Sequence, residues 1–152
     1  MIEAKVILTH PEGTSRQFEA TTGSGHRLLV DDAAGATGPK PIELAAAALA
    51  GCTAFDVIGI LRKKRQQVTG YEVRVEAEQG PDPPQVFTRV RIMHRVSGED
   101  IDPAAIESAI HLSETKYCSV GAMISKTAKL VTSFEIVPEH APVAAGTGVS
   151  GT

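Results

Sequence analysis

Between Ile42 and Leu61 the chain offers almost nothing for water to solvate: only Glu43, Thr53 and Asp56 are strongly polar. Six alanines crowd the stretch from Ala45 to Ala54, a composition that favours helix. Pro41 suits a first helical turn, and Glu43 suits the positive end of the helix dipole. Arg62, Lys63, Lys64 and Arg65 put cations at the negative end, where they read as a solvated terminus, and Gly70 is the expected stop. The stretch approaches the ~20 residues of a membrane span. Asp56 in its interior, and the excess of small residues over Leu and Ile, point instead to a helix enclosed by protein on nearly every side.

The remaining segments must supply that cover. Residues 2–9 alternate as a strand, with Ile2, Ala4, Val6 and Leu8 on one face. His10 to Gly13 reads as a turn, Arg16 to Ala20 as the returning strand and His26 to Asp31 as a third strand. Asp32 to Lys40, rich in Gly and Ala, reads as a loop. Beyond the long helix, Tyr71 to Gln79 alternates strictly, Pro81 to Pro84 makes a rigid turn, and Val86 to Val96 is the partner strand. Asp102 and Pro103 open a second helix as N-cap and first residue, running to about Tyr117. Ser119 to Lys126 reads as a further short helix and Lys129 to Val137 as a last strand.

The expectation is one domain over residues 1–137 and a small, polar, disordered tail over 138–152. The element order gives an α+β fold with mostly antiparallel pairing. One thin sheet and one helix leave the long helix partly uncovered, which predicts an intertwined homodimer whose second copy covers the exposed face.

A net charge of -3 without tryptophan argues against a nucleic-acid partner. The first residues, Met1 to Lys5, hold no apolar core of signal-peptide length, so a cytoplasmic protein is expected, with no membrane partner. In that compartment Cys52 and Cys118 are free thiols, catalytic groups or ligands rather than a structural staple.

The thiolate is the nucleophile, so each cysteine is judged by what could lower its pKa. Cys118 would sit at the N-terminus of the short helix, where unpaired N–H groups favour a thiolate. Cys52 lies deep in the apolar helix, where desolvation raises a thiol. On residue environment alone Cys118 is the more acidic. Equally, a free cysteine commonly packs as a small hydrophobe, and two cysteines sixty-six residues apart say nothing alone about a pair. Asp56, four residues after Cys52, shares its helix face. It either orients a group beside the thiol or pairs with a cation or caps a neighbouring element. Glu43 is readable equally as a first-turn cap and as a catalytic residue of the site. His26, His94 and His111 have no zinc-finger spacing to the cysteines, and neither a metal nor a cofactor is expected.

Two motifs carry a resemblance. Pro41-Ile42-Glu43-Leu44, the alanine run and Gly51-Cys52 resemble the central-helix motif of the OsmC/Ohr organic hydroperoxide reductase family: Pro, an acidic residue, Leu, an alanine-rich run, then Cys. Lys116-Tyr117-Cys118-Ser119-Val120 resembles that family's second motif, a cysteine followed by a short helix. The likeness spans about residues 3–137 and points to a divergent subgroup. It implies an OsmC-like fold: two mostly antiparallel sheets wrapped around long central helices in an intertwined dimer. It further implies a peroxidase for oxidative-stress defence, with Cys52 as the peroxidatic thiol attacking organic or hydrogen peroxide. Cys118 would resolve the sulfenic acid as a disulfide, and an external dithiol would reduce that disulfide. The family's catalytic Glu stands ten residues before the first Cys; here that position is Ile42, and Glu43 is nine before. The family also pairs an Arg with the thiolate, whereas Asp32 to Lys40 holds none and Arg16 and Arg27 precede it. These departures leave a second reading, a non-enzymatic protein binding a hydrophobic small molecule in an apolar cleft at the dimer interface.

Overall fold

The computed structural model describes residues 1–138; of the expected tail, all but Pro138 lies outside the described residues. The chain divides into two compact units, with the boundary inside the long helix between Ala47 and Ala48.

The first unit holds a three-stranded antiparallel sheet of β1 (Ala4–Leu8), β2 (Phe18–Thr22) and β3 (Arg27–Val30), in that order. The following loop is built on two aspartates. Asp31 is buried and accepts hydrogen bonds from the Thr37 hydroxyl, from Thr37 N at 3.1 Å and from Asp32 N at 2.8 Å. Asp32 holds Arg16 at 2.7 Å, and Arg27 pairs with Glu19 at 3.4 Å. The two arginines that precede the loop therefore both face carboxylates of their own unit.

The long helix, α1, runs Pro41–Lys63. Glu43 Oε2 accepts from Lys40 N at 2.7 Å, so the acidic residue closes the first turn from its third position. The other end corrects the expected stop. Arg65 takes a left-handed φ of 58°, and Gln66 N–H reaches back to Leu61 O at 3.0 Å, a Schellman-type ending. Gly70 lies instead within β4 (Gln67–Gln79), at a register shift where a Cβ would stand 2.4 Å from Ser97 Oγ. Its missing side chain serves close strand approach rather than helix termination.

β4 pairs antiparallel with β5 (Phe87–Glu99), and β5 pairs parallel with β6 (Lys129–Val137), which puts β5 at the centre of the second sheet. Between them lie α2 (Pro103–Leu112), a π-helical turn over Ser113–Tyr117 and α3 (Ser119–Ile124). Asp102 caps α2 as expected, its side chain accepting from Ala104 N at 2.9 Å. The helical run thus reaches Tyr117 as expected, with its last stretch widened to a π-helix. One sheet face carries ion pairs, with Arg91 on Glu76 and Glu78 and Arg95 on Glu72 and Glu135.

The core joins Val57 and Leu61 of α1 to Val96 of β5 and Ala105, Ile106, Ala109 and Ile110 of α2. By length and composition α1 could cross a membrane. In the fold it buries a single stripe, Leu49, Thr53, Val57 and Leu61, at four-residue spacing. The expectation of cover on nearly every side is not met within one chain: Phe55 is 82% exposed.

Candidate thiol site

Three elements of the second unit converge on one cluster. Cys52 and Asp56 project from the same face of α1, one turn apart. Cys118 ends the π-helical turn and caps α3, accepting from Gly121 N at 3.2 Å. The two sulfurs and a carboxylate oxygen of Asp56 all lie within 4.8 Å of one another. A disulfide needs about 2.05 Å between sulfurs, so the two thiols stand close together but unbonded.

The thiols differ in exposure. Cys52 is half-buried and free, whereas Cys118 is buried and free. Cys52 falls one residue short of the buried Thr53, about 100° round the helix, so it stands at the edge of the packed stripe. Ser119 Oγ lies 4.0 Å from its sulfur. Behind Cys118 is a cavity of about 50 Å³ lined by Leu49, Thr53, Ser113 and Leu130, among others.

Burial pushes the Cys118 thiol up to about 11, and its hydrogen bond with Cys52 adds to the rise; the Gly121 N–H acts the other way. This overturns the expectation that the helix-capping position would make Cys118 the acidic thiol. One N–H donor at a six-residue helix does not repay the loss of water around the sulfur.

Asp56 is the residue whose role the sequence left open. It accepts a hydrogen bond at 2.9 Å from Ser113 Oγ, whose oxygen also lies 3.2 Å from Thr53 Oγ1. Ser113 is fully buried at the start of the π-helical turn, where an irregular helix presents a hydroxyl to a neighbour. Neither Ser113 nor Gly121 stood out in the sequence; the only available signal was that Gly follows Cys118 by three residues. Asp56 therefore stands beside the thiols with its carboxylate held by a serine hydroxyl. Glu43 serves the first turn of α1 as described above.

A second buried polar pair lies on the sheet. Tyr71 Oη and His94 Nδ1 are hydrogen-bonded at 2.7 Å, while His94 Nε2 has no partner among the described residues. Burial lowers His94 to about 4. It raises Tyr71 well above its ordinary range, with the Asp56 charge as the second cause.

Residues 33–133 match the family model described as OsmC-like protein. Protein YhfA of Escherichia coli K12 is 38% identical over 120 residues, covering 79% of this chain and 90% of YhfA. A hypothetical protein from Aquifex aeolicus VF5, solved by crystallography, superposes with a TM-score of 0.80 at 27% identity, over 91% of this chain and 97% of that one. The organic hydroperoxide resistance protein OhrB of Bacillus subtilis shares the fold, with a TM-score of 0.57 at 16% identity, over 89% of this chain and 98% of its own.

Proposed function

We propose that this chain, which belongs to the OsmC-like protein family, reduces organic or hydrogen peroxides with Cys52 as attacking thiol and Cys118 as resolving thiol. The observation that carries the reading is the placement of both sulfurs and the Asp56 carboxylate within 4.8 Å, with Cys52 half-exposed and Cys118 buried. Structural relatives include proteins named for organic hydroperoxide resistance.

In the proposed cycle the Cys52 thiolate attacks one oxygen of the peroxide and the O–O bond breaks. The sulfur becomes a sulfenic acid, and the other oxygen leaves as alcohol or water once protonated. Cys118 then attacks that sulfur. A disulfide forms, and the sulfenic hydroxyl leaves as water with the Cys118 proton, which Asp56, the carboxylate within reach, can accept and hand on to it. An external dithiol restores both thiols by exchange. The high pKa of Cys118 suits this order: it stays a protonated, unreactive thiol until an electrophilic sulfur arrives beside it. Glu43 has no step here, since its carboxylate closes the helix terminus. The cycle suits a reducing cytoplasmic compartment. It also suits a homodimer in which a second copy covers the exposed face of α1 around Phe55.

Cys52→Ser should abolish peroxide consumption. Cys118→Ser should complete one turnover and accumulate a trappable sulfenic acid that overoxidises with excess peroxide. Consumption by Cys52→Ser at the wild-type rate would refute the assignment. The second reading, a binder of hydrophobic small molecules, draws on a groove of about 460 Å³ lined by Phe55, Ile60, Leu112 and Tyr117 together with Asp56, Lys63 and Lys64. Mass measurement after mild peroxide separates the two. Loss of two hydrogens, reversed by a dithiol, supports the redox pair; an unchanged mass supports the binder.

A further inference from the structure

We propose that the reduced Cys52–Asp56–Cys118 cluster binds a thiophilic divalent cation of the zinc type through both sulfurs and one Asp56 carboxylate oxygen. The proposal rests on donor placement and is independent of peroxide chemistry.

The distances fit with little movement. Zinc bonds of about 2.3 Å to sulfur and about 2.1 Å to oxygen, at tetrahedral angles, set sulfur–sulfur and sulfur–oxygen separations of roughly 3.8 and 3.6 Å. The three donor atoms already lie within 4.8 Å of one another, so a contraction of at most about 1.2 Å would bring them to tetrahedral spacing around an ion. Two thiolates and a carboxylate select zinc or a similar borderline cation over calcium or magnesium, which take oxygen shells. Three protein ligands leave one position open for water, the arrangement of reactive rather than purely structural zinc sites.

The supports are also present. Cys52 and Asp56 are fixed one turn apart on a 23-residue helix. Ser113 Oγ donates to Asp56 Oδ2 at 2.9 Å, which orients the carboxylate. Gly121 N donates to Cys118 Sγ at 3.2 Å, a contact that stabilises a thiolate ligand. Hydrogen bonds of this kind to ligand atoms hold a metal's donors in position. The sequence hid the site because its donors fall as a four-residue pair and a single cysteine sixty-six residues on, with no repeat of a metal-binding motif.

A disulfide consumes both sulfur donors, so the metal-bound and oxidised forms exclude each other. Each thiol that coordinates also gives up its proton, which supplies a readout besides activity.

The test uses the full chain, reduced and chelator-treated, titrated with zinc and separately with cobalt(II) as a spectroscopic probe. The expected result is one ion per chain, thiolate-to-cobalt absorption, proton release on zinc binding, and slowed alkylation of both cysteines in the loaded protein. Asp56→Asn keeps the shape of the side chain and should weaken zinc binding at least about tenfold, since even outer-shell partners of ligands cost 10–100-fold. Cys118→Ser should lose the two-thiolate cobalt signature. Absence of thiolate–cobalt absorption in the folded, reduced wild-type protein would overturn the proposal, and so would wild-type affinity in Asp56→Asn. The wild-type alkylation measurement needs no variant to fold. Peroxide consumption by the metal-free sample is followed separately: its failure touches the redox reading alone, and failure to bind metal touches this proposal alone.

Discussion

Lowering the pH from about 7 to about 5 should destabilise the folded chain by about 2 kcal/mol through His94 alone. His94 sits on β5, the central strand of its sheet, fully buried, with Tyr71 as its only hydrogen-bond partner among the described residues. Burial without a compensating charge lowers its pKa from the ordinary 6.5 to about 4. In the unfolded chain the imidazole recovers its ordinary value. Between the two values the unfolded chain therefore holds a proton that the folded chain refuses, and stability falls as the pH falls. The contribution is intact above about 6.5 and is lost progressively down to about 4. The displacement is worth about 3 kcal/mol in full, of which roughly 2 falls between pH 7 and 5. The main competing titrations lie lower. Asp31 and Asp32 are held below the ordinary carboxylate range, chiefly by the Thr37 hydroxyl and the Gly35 N–H respectively, so their stabilising effect fades only in stronger acid.

The assay is urea unfolding at fixed protein concentration, repeated in steps across that window for the wild type and for His94→Gln. Gln keeps a polar group facing Tyr71 but does not titrate. Whatever His94→Gln does to stability at neutral pH, its curve should be flatter than the wild type's across the window by about 2 kcal/mol. Parallel loss of stability in the two proteins would refute the reasoning, because the slope would then belong to other groups.

Two further outcomes follow from packing. Leu61→Ala removes a fully buried side chain at the junction of α1 with α2 and β5 and should cost about 2–5 kcal/mol, read as a fall in the urea midpoint without a change in slope. Gly121→Ala should separate stability from chemistry. The new methyl would stand 3.1 Å from Cys118 Sγ, displacing the sulfur and slowing disulfide closure. The gain of up to about 1 kcal/mol in helix propensity opposes the crowding, so thermal stability should change little. A large loss of stability with unchanged disulfide kinetics would contradict this.

What the sequence disclosed and what it hid divide along physical lines. Elements with strong periodicity or caps were legible: β6 falls on its expected residues, and Asp102 with Pro103 opens α2. The boundaries that moved were set by tertiary contacts. Gly70 was read as a helix stop on composition, yet Arg65 supplies the left-handed turn and Gly70 answers to Ser97 across the sheet. The parallel pairing of β6 with β5 follows from where α2 and α3 return the chain, which no local pattern records. At the site, both cysteines were legible through the family motifs, and Asp56 through its spacing. Ser113 was not, because its role depends on a π-helical turn that brings a buried hydroxyl to a different helix. The expected lowering of the Cys118 thiol failed because helix position is local and readable, whereas desolvation depends on what packs over the sulfur.

That desolvation also orders the two thiols in time. A thiol raised by burial is far less often a thiolate at neutral pH than an ordinary one. Its low ionisation slows Cys118 relative to an ordinary cysteine, and its burial blocks bulky reagents further. Were Cys118 the attacking thiol, peroxide would have to enter a packed interior and meet a sulfur that is almost never ionised. Cys52, half-buried at the edge of the buried stripe, does not face the steric obstacle. Peptide mapping of the reduced wild-type protein after brief iodoacetamide treatment should therefore find Cys52 labelled first. Labelling of Cys118 should rise about tenfold per pH unit up to the alkaline range, as a thiol titrating near 11 requires. Equal labelling of the two at neutral pH, or a Cys118 rate that levels off below about pH 9, would mean that the interior is open or the sulfur already ionised. In either case the order of attack and resolution would have to be reversed or abandoned.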